Sequence, residues 1–403
     1  MSAAYLLSRR HEVYLFEKDS RLGGHTNTIM VEGRHGPLPV DTGFIVHNDR
    51  TYPHLVRLFR ELGVETQPSD MSFAVICHKT GFEYSSRGLT GFFAQPKNLL
   101  RPSHYELLTE ILRFNREAPK LLLERHPPTL TLGEYLDEHR YGSVFTDRYL
   151  YPMASAVWST SLENIRSFPA TTLIRFFDNH GMLQITRQPQ WKVLKGGSHR
   201  YIVPLTTPYR KRIQLNSNIR SVHRSEQGVF LTFLDRSEMK FDEVVFACHG
   251  DQVLPLLESP TDAEREIFGC FKTTTNEAWL HTDTSLLPMR AQAHASWNYN
   301  LYGEDSDGAT VTYHMNRLQR LEVPEDYCVT LNPKGRFDES KVLRKITYHH
   351  PLHDHAALRA QARWGEVSGR CRTHYCGAYW MYGFHEDGLA SALRVARTLG
   401  VSW

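Results

Sequence analysis

Val13-Tyr14-Leu15-Phe16-Glu17-Lys18-Asp19-Ser20-Arg21-Leu22-Gly23-Gly24-His25 sets the fold class of this chain. Four apolar residues in a row, without polar alternation, suit a parallel strand buried on both faces. The strand ends on an acid, Glu17, and in a dinucleotide-binding unit an acid at that point accepts hydrogen bonds from a ribose. Arg21 and the pair Gly23-Gly24 follow at once. Glycines let a backbone approach a ligand closely, and an arginine suits a pyrophosphate. An ordinary strand closing in a Gly-Gly turn has the same local pattern.

Glu17-Lys18-x-x-Arg21-x-Gly23-Gly24 after a hydrophobic strand resembles the second strand of flavin-dependent amine oxidases, protoporphyrinogen oxidases and phytoene desaturases. Within that superfamily the chain is most similar to a bacterial-type group of predicted FAD-dependent oxidoreductases. The resemblance implies an α/β fold, with a Rossmann-like FAD-binding domain of amine-oxidase type interleaved with an α+β substrate domain. It implies FAD as cofactor, with Glu17, Lys18, Arg21, Gly23 and Gly24 among its contacts. The flavin domain is expected from three pieces, about 1–50, 190–255 and 366–403. The substrate domain is expected from 51–189 and 256–365.

The family's Gly-x-Gly-x-x-Gly loop belongs roughly 20 residues before the acid, and counting back from Glu17 runs off the chain. Met1 to Arg10 reads as helix, with Ala, Leu and Arg and neither Gly nor Pro. In relatives the loop and the following helix N-terminus offer N–H donors and a positive dipole end to the pyrophosphate. A sheet without its first strand leaves unpaired edges. Two explanations stand: a start assigned too far downstream, or a natural degenerate copy. The first is favoured because the remaining motifs look intact.

A length of 403 residues allows two or three domains. The net charge of +3 argues against nucleic acid as the main partner. No apolar run approaches the roughly 18 residues of a transmembrane helix, and no signal peptide is visible. Cys77, Cys248, Cys270, Cys328, Cys371 and Cys376 form no CxxC pair and no zinc spacing. They fit a reducing compartment, and a cytoplasmic location is expected.

Val40-Asp41-Thr42-Gly43 matches an Asp-x-Gly segment that leads towards the flavin in relatives, so Asp41 and Gly43 are expected near the cofactor; a turn between strands would read alike. Helices are expected at about 52–62, 105–125 (split by Pro119) and 143–158. Thr131-Leu132-Gly133-Glu134 has the form of a capping box. Short strands are expected within 70–90, with a turn at Gly81. Gln190 to Ser198 resembles the second Gly-Gly signature, where the chain re-enters the flavin domain. Strands follow near 213–215, 219–222, 228–233 and 242–249, and in relatives a residue at the Val222 position meets the adenine edge through its backbone. Further strands, near 278–281, 309–313 and 327–331, belong to a sheet that the resemblance makes the floor of a substrate cavity. Asn298, Tyr299, His314 and Asn316 are candidates to face it.

His349, His350, His353 and His355, with Asp354, invite a metal reading. The spacing is poor, Pro351 blocks a regular helix, and a returning loop is the better reading. The closing segment Tyr375 to Ala392 holds a short strand to Gly377, an aromatic loop, and a helix from about His385-Glu386-Asp387-Gly388. In flavin amine oxidases such a segment points its helix N-terminus at the flavin, which places Gly377, Gly383, Glu386, Asp387 and Gly388 near FAD. Where those enzymes carry a cage tyrosine, this chain has Phe384, with Tyr379, Trp380 and Tyr382 close by.

The function expected is a FAD-dependent oxidoreductase that transfers a hydride from a C–N or C–C bond of a small-molecule or lipid-like substrate to flavin. Alternatives are a fatty-acyl or polyene desaturase, saturase or isomerase, and a non-catalytic homologue without cofactor. No catalytic base is assigned; His385 and Glu386 are the nearest titratable residues by sequence.

Overall fold

Leu15–Phe16 pairs in parallel with Ile213–Gln214, and Val244–Phe246 pairs in parallel with Thr373–Tyr375. The structure, a computed structural model, describes every residue except 35, 124–128, 187, 303–309 and 336. Among the described residues these pairs are separate two-stranded sheets. The first strand is shorter and more open than its apolar run predicts: Val13 and Tyr14 lie outside it, and Tyr14 is exposed. Support from one side is the cause. Ile213–Gln214 is the strand's one ladder neighbour among the described residues. Phe16 packs on Phe233 and Phe241, and Tyr14 meets Phe241 edge-on. Those phenylalanines come from an antiparallel unit of Ile219–Ser225, Gly228–Phe233 and Glu238–Phe241.

One core gathers around these pairs. The helix Ser2–Leu7 lies on the C-terminal helix His385–Thr398. Ala3, Leu6 and Leu7 are buried with Leu389, Ala392, Leu393 and Ala396. The helix Pro53–Glu61 adds Leu55, Leu58 and Phe59, the stripe its spacing predicts. Ile267, Phe268, Ala357 and Ala360 join as well, so this core reaches beyond the three pieces expected for a flavin domain.

The second core sits on a seven-stranded sheet. Its order is Val342–Leu352, Lys272–His281, Cys328–Leu331, Val311–His314, Trp297–Leu301, Phe73–Cys77 and Phe82–Ser85. The pairing is antiparallel except between Trp297–Leu301 and Phe73–Cys77. The helices Pro102–Glu117, Leu132–Glu138, Tyr151–Trp158 and Ala170–Asn179 contribute Leu107, Tyr135, Ala154 and Leu173 to the same core. At Pro119 the first of them passes into a 3-10 turn, Ala118–Leu122; the expected end near Arg125 lies outside the described residues. Thr131 Oγ1 accepts the Glu134 N–H at 3.2 Å, and Glu134 accepts the Thr131 N–H at 2.8 Å, which completes the capping box.

The loop expected at His349–Pro351 is instead the end of the strand Val342–Leu352. This strand is at the sheet edge, where Pro351 forfeits no ladder bond to a further neighbour. Asp354 then caps the helix His355–Ala362 by accepting the Ala357 N–H at 2.8 Å. Asn298, His314 and Asn316 are engaged within the sheet and its loops: Asn298 bonds the Ala295 and Thr312 carbonyls, His314 pairs with Asp326, and Asn316 bonds Glu325 and Tyr327. Tyr299 is buried in the core.

Candidate functional site

The ends of three strands from the two parallel pairs lie near one another. Glu17 follows Leu15–Phe16, Cys248-His249 follows Val244–Phe246, and Cys376-Gly377 follows Thr373–Tyr375. Burial pushes the Cys248 thiol up to about 12, with Cys376, Asp251 and Lys18 as its ionisable neighbours. The Met1 amino group is buried beside Cys376 and Glu17, and burial lowers its pKa. In α/β sheets ligands sit at such carboxyl ends.

A group of imidazoles continues from these ends. The His25 ring stacks on Tyr348 at 4.9 Å and lies 5.2 Å from His350 and 6.0 Å from His249. His385, at the start of the C-terminal helix, stacks on Phe44 at 4.0 Å. Burial holds His25 well below the usual histidine range and lowers His249, while His350 and His385 fall to about 4. In each case burial favours the uncharged form of the ring. No group of three or more potential ligands among the described residues has the geometry to hold a metal ion.

The Gly-Gly loop is held by its own arginine. Arg21 donates to the carbonyls of Gly24, Thr26 and Leu22 at 2.8, 3.3 and 3.4 Å. Gly23 has φ +116°, and a Cβ there would lie 2.3 Å from the Thr26 carbonyl oxygen, so no other residue fits. A Cβ on Gly24 would meet nothing within 4 Å. Glu17 Oε1 accepts the Asp19 N–H at 3.0 Å. Lys18 is exposed. The Gly43 segment runs against His25: Phe44 N–H donates to the His25 carbonyl at 2.7 Å, and a Cβ on Gly43 would sit 2.1 Å from that oxygen.

Asp41 is buried and serves the scaffold. Its carboxylate accepts from Thr28 Oγ1 (2.5 Å), the Ser198 N–H (2.9 Å), Ser198 Oγ (2.9 Å) and Gln319 Nε2 (3.1 Å). It ties the second Gly-Gly loop to the seven-stranded sheet's helix-turn region, and burial raises its pKa to about 6. Val222 is buried in the first core, where its carbonyl accepts the Glu258 N–H at 3.2 Å. That bond engages one backbone group of the residue expected to meet adenine through its backbone. At the end of this strand nearer Glu17, the Ser217 N–H donates to the Glu17 carbonyl at 2.8 Å.

In the closing segment, Gly377 N–H donates to Ser391 Oγ at 2.9 Å, and a Cβ on Gly383 would press on His353 and Pro351. Gly388 faces Ala378 with ordinary spacing. Asp387 accepts the Phe384 N–H at 2.8 Å, and burial raises its pKa to about 7. Glu386 caps a different helix: its oxygens accept the His54 and Leu55 N–H groups at 3.0 and 2.9 Å, and His54 Nδ1 lies 2.6 Å away. Phe384 stacks on Phe176 at 4.8 Å, and Phe176 stacks on His180 at 3.8 Å. Tyr382 joins this wall at 5.8 Å from Phe176. Tyr379 and Trp380 turn away and pack on Phe271 in the first core.

His25, Tyr348, His249, Phe176 and His180 do not stand out as site residues in the sequence. His25 directly follows the Gly-Gly pair, and that adjacency is a usable signal. The others reach the site through pairing and packing alone.

The donor set suits a ribose and a flavin ring. Among the described residues Glu17 Oε2 accepts no hydrogen bond, Gly24 borders open space, and the buried His25 Nε2 has no hydrogen-bond partner. The phosphate side is less provided for, because Arg21 is engaged by the carbonyls of its own loop.

Comparison with curated proteins finds no match. Among solved structures the chain is similar to cyclohexylamine oxidase from Brevibacterium oxydans IH-35A, with TM-score 0.69 and 14% identity over 99% of this chain and 96% of that one. It is similar to a wild-type putrescine oxidase bound to putrescine, with TM-score 0.68 and 13% identity over 99% and 95%. It is also similar to a CLA-producing fatty acid isomerase from P. acnes, with TM-score 0.68 and 14% identity over 98% and 95%. At these identities the likeness establishes the fold. The sequence pattern of the flavin containing amine oxidoreductases matches residues 1–343, and the chain belongs to that family.

Proposed function

We propose that this protein is a FAD-dependent oxidoreductase acting on a lipid-like substrate. The observation that carries the substrate class is the state of the acids. Glu386 and Asp387 are the carboxylates beside the aromatic wall, and both are bound to backbone N–H groups. Asp41 is enclosed by four donor contacts. A cationic amine would find no free carboxylate among them, whereas Phe384, Phe176 and Tyr382 offer flat apolar faces. Arg175 lies within electrostatic reach of Tyr382 and is a cation that would suit an acyl carboxylate.

Bound here, FAD would supply the hydride acceptor. Glu17 would accept hydrogen bonds from its ribose, and Gly23 and Gly24 would let the loop approach it. His25, Phe44 and His385 would border the ring, with His25 Nε2 free to hydrogen-bond it. The aromatic wall would orient the substrate and exclude water. All six cysteines are unpaired, which supports a reducing, cytoplasmic setting.

The test is an absorbance spectrum after FAD is added and gel-filtered away, followed by anaerobic mixing with an unsaturated fatty acid or with cyclohexylamine. We expect a retained flavin spectrum that the fatty acid perturbs or bleaches and the amine leaves unchanged. A colourless protein would favour a homologue without cofactor. Bleaching by the amine alone would reverse the substrate class.

A further inference from the structure

We infer that the face built by residues 87–105 docks the protein on an anionic lipid surface. This inference is independent of the redox reading. Leu89, Leu99, Leu100 and Met289 are 71, 52, 87 and 93% exposed. Their elements are bound to one another. Phe92 of the helix Gly88–Phe92 stacks on His104 at 4.1 Å, and Phe93 packs on Tyr105 at 5.7 Å. The Tyr105 hydroxyl donates to the Leu99 carbonyl at 2.8 Å. The turn Ala291–Ala293, just after Met289, packs on the same short helix.

Beneath them Phe92, Asn98, His104 and Leu107 are buried. The exposed side chains are therefore an outward layer over a finished core. Exposed apolar residues are ordinary singly, but a group on adjoining elements marks a contact surface.

Charge selects the occupant. Arg87, Lys97 and Arg101 interleave with the leucines, and among the described residues none of the three is ion-paired. Arg87 and Arg101 donate hydrogen bonds to the His294 carbonyl and Asn98 Oδ1, both neutral acceptors. The nearby acids turn elsewhere: Glu110 accepts the Gly142 N–H at 2.9 Å, and Glu106 also borders Gly142. Leucines that enter the acyl boundary beside cations that meet phosphates are the pattern of interfacial attachment. No helix among the described residues is long and apolar enough to cross a membrane, so the contact would be peripheral.

The full chain would be floated with vesicles of phosphatidylglycerol and phosphatidylethanolamine, and with vesicles of phosphatidylcholine alone. We expect it to float with the anionic vesicles and to bind them roughly tenfold less at high salt. Leu100→Asp and Lys97→Glu should elute and melt like the parent, yet each lose about tenfold in vesicle binding. Because both side chains are exposed, a folding defect is not expected, and the melt checks that. Absence of flotation, or undiminished flotation of Leu100→Asp, would overturn the proposal. So would a self-associated parent that Leu100→Asp converts to monomer, since the face would then cover a second copy.

Discussion

Asp387 lies buried in the first turn of the C-terminal helix, where its carboxylate accepts the Phe384 N–H and burial raises its pKa from 3.8 to about 7. A carboxyl whose folded pKa is raised contributes stability below its unfolded pKa and loses it as pH rises through the folded one. Between about pH 4 and about pH 7 the native chain therefore holds a proton that the unfolded chain has released. Asp387→Asn, which can still cap, should flatten this slope and melt higher than the parent above pH 7. His350 and His385, depressed to about 4, act with the opposite sign: their contribution is lost as pH falls from 6.5 towards 4. Comparing variant with parent at each pH cancels that background. An unchanged slope in thermal melts across this window would show that Asp387 does not carry the charge. The motif puts Asp387 in the right loop, but its partner, a backbone N–H three residues earlier, is a matter of turn geometry that residue types do not disclose.

Elements show the same division between local and distant causes. The Thr131–Glu134 capping box is readable because both partners are within one turn. The helix Pro53–Glu61 is readable too, from its apolar stripe and from Pro53 at its start. Its cap is not, because Tyr52 offers no side-chain bond and the acceptor, Glu386, lies 332 residues from His54. Glu386 thereby clamps the start of one helix against the start of another. Replacing it removes three contacts at a helix N-terminus, two from backbone N–H groups and one from His54 Nδ1. Glu386→Ala should cost about 2 kcal/mol, and Glu386→Gln about half of that, because one amide oxygen can still accept. Urea denaturation measures both. Equal losses would mean that packing, not acceptance, is what Glu386 provides. The strand through His349 and His350 reads as a loop in the sequence because Pro351 signals a break; an edge position makes that proline harmless.

At the scale of the molecule, sequence order and spatial order part company. The seven-stranded sheet joins Phe73–Cys77 to Trp297–Leu301, so the hairpin at one edge is attached to it by a pairing between chain segments more than two hundred residues apart. Periodicity identifies such strands but cannot pair them, which is why the strands are legible and the sheet order is not. The resemblance supplies the interleaving, but not the reach of each core: Val31, Val40 and Val193 pack with the sheet, while Leu55 and Phe59 pack with the parallel pairs. Asp41 accepts from Ser198, in the turn that carries Tyr201 of the first core, and from Gln319, beside Leu318 of the second, and so fastens the two regions. The folding unit is then the whole chain. Residues 51–189, expressed alone, would keep two of the seven strands. Phe73, Ala74, Val75 and Ile76, all buried in the full chain, would lose the neighbour that pairs with them. An apolar strand with an unpaired edge templates association. We expect this fragment to aggregate, or to show collapsed helix without dispersed amide resonances. A monomeric fragment with a dispersed spectrum would show that the helical block and its hairpin fold by themselves, and that the long-range pairing only joins two finished pieces.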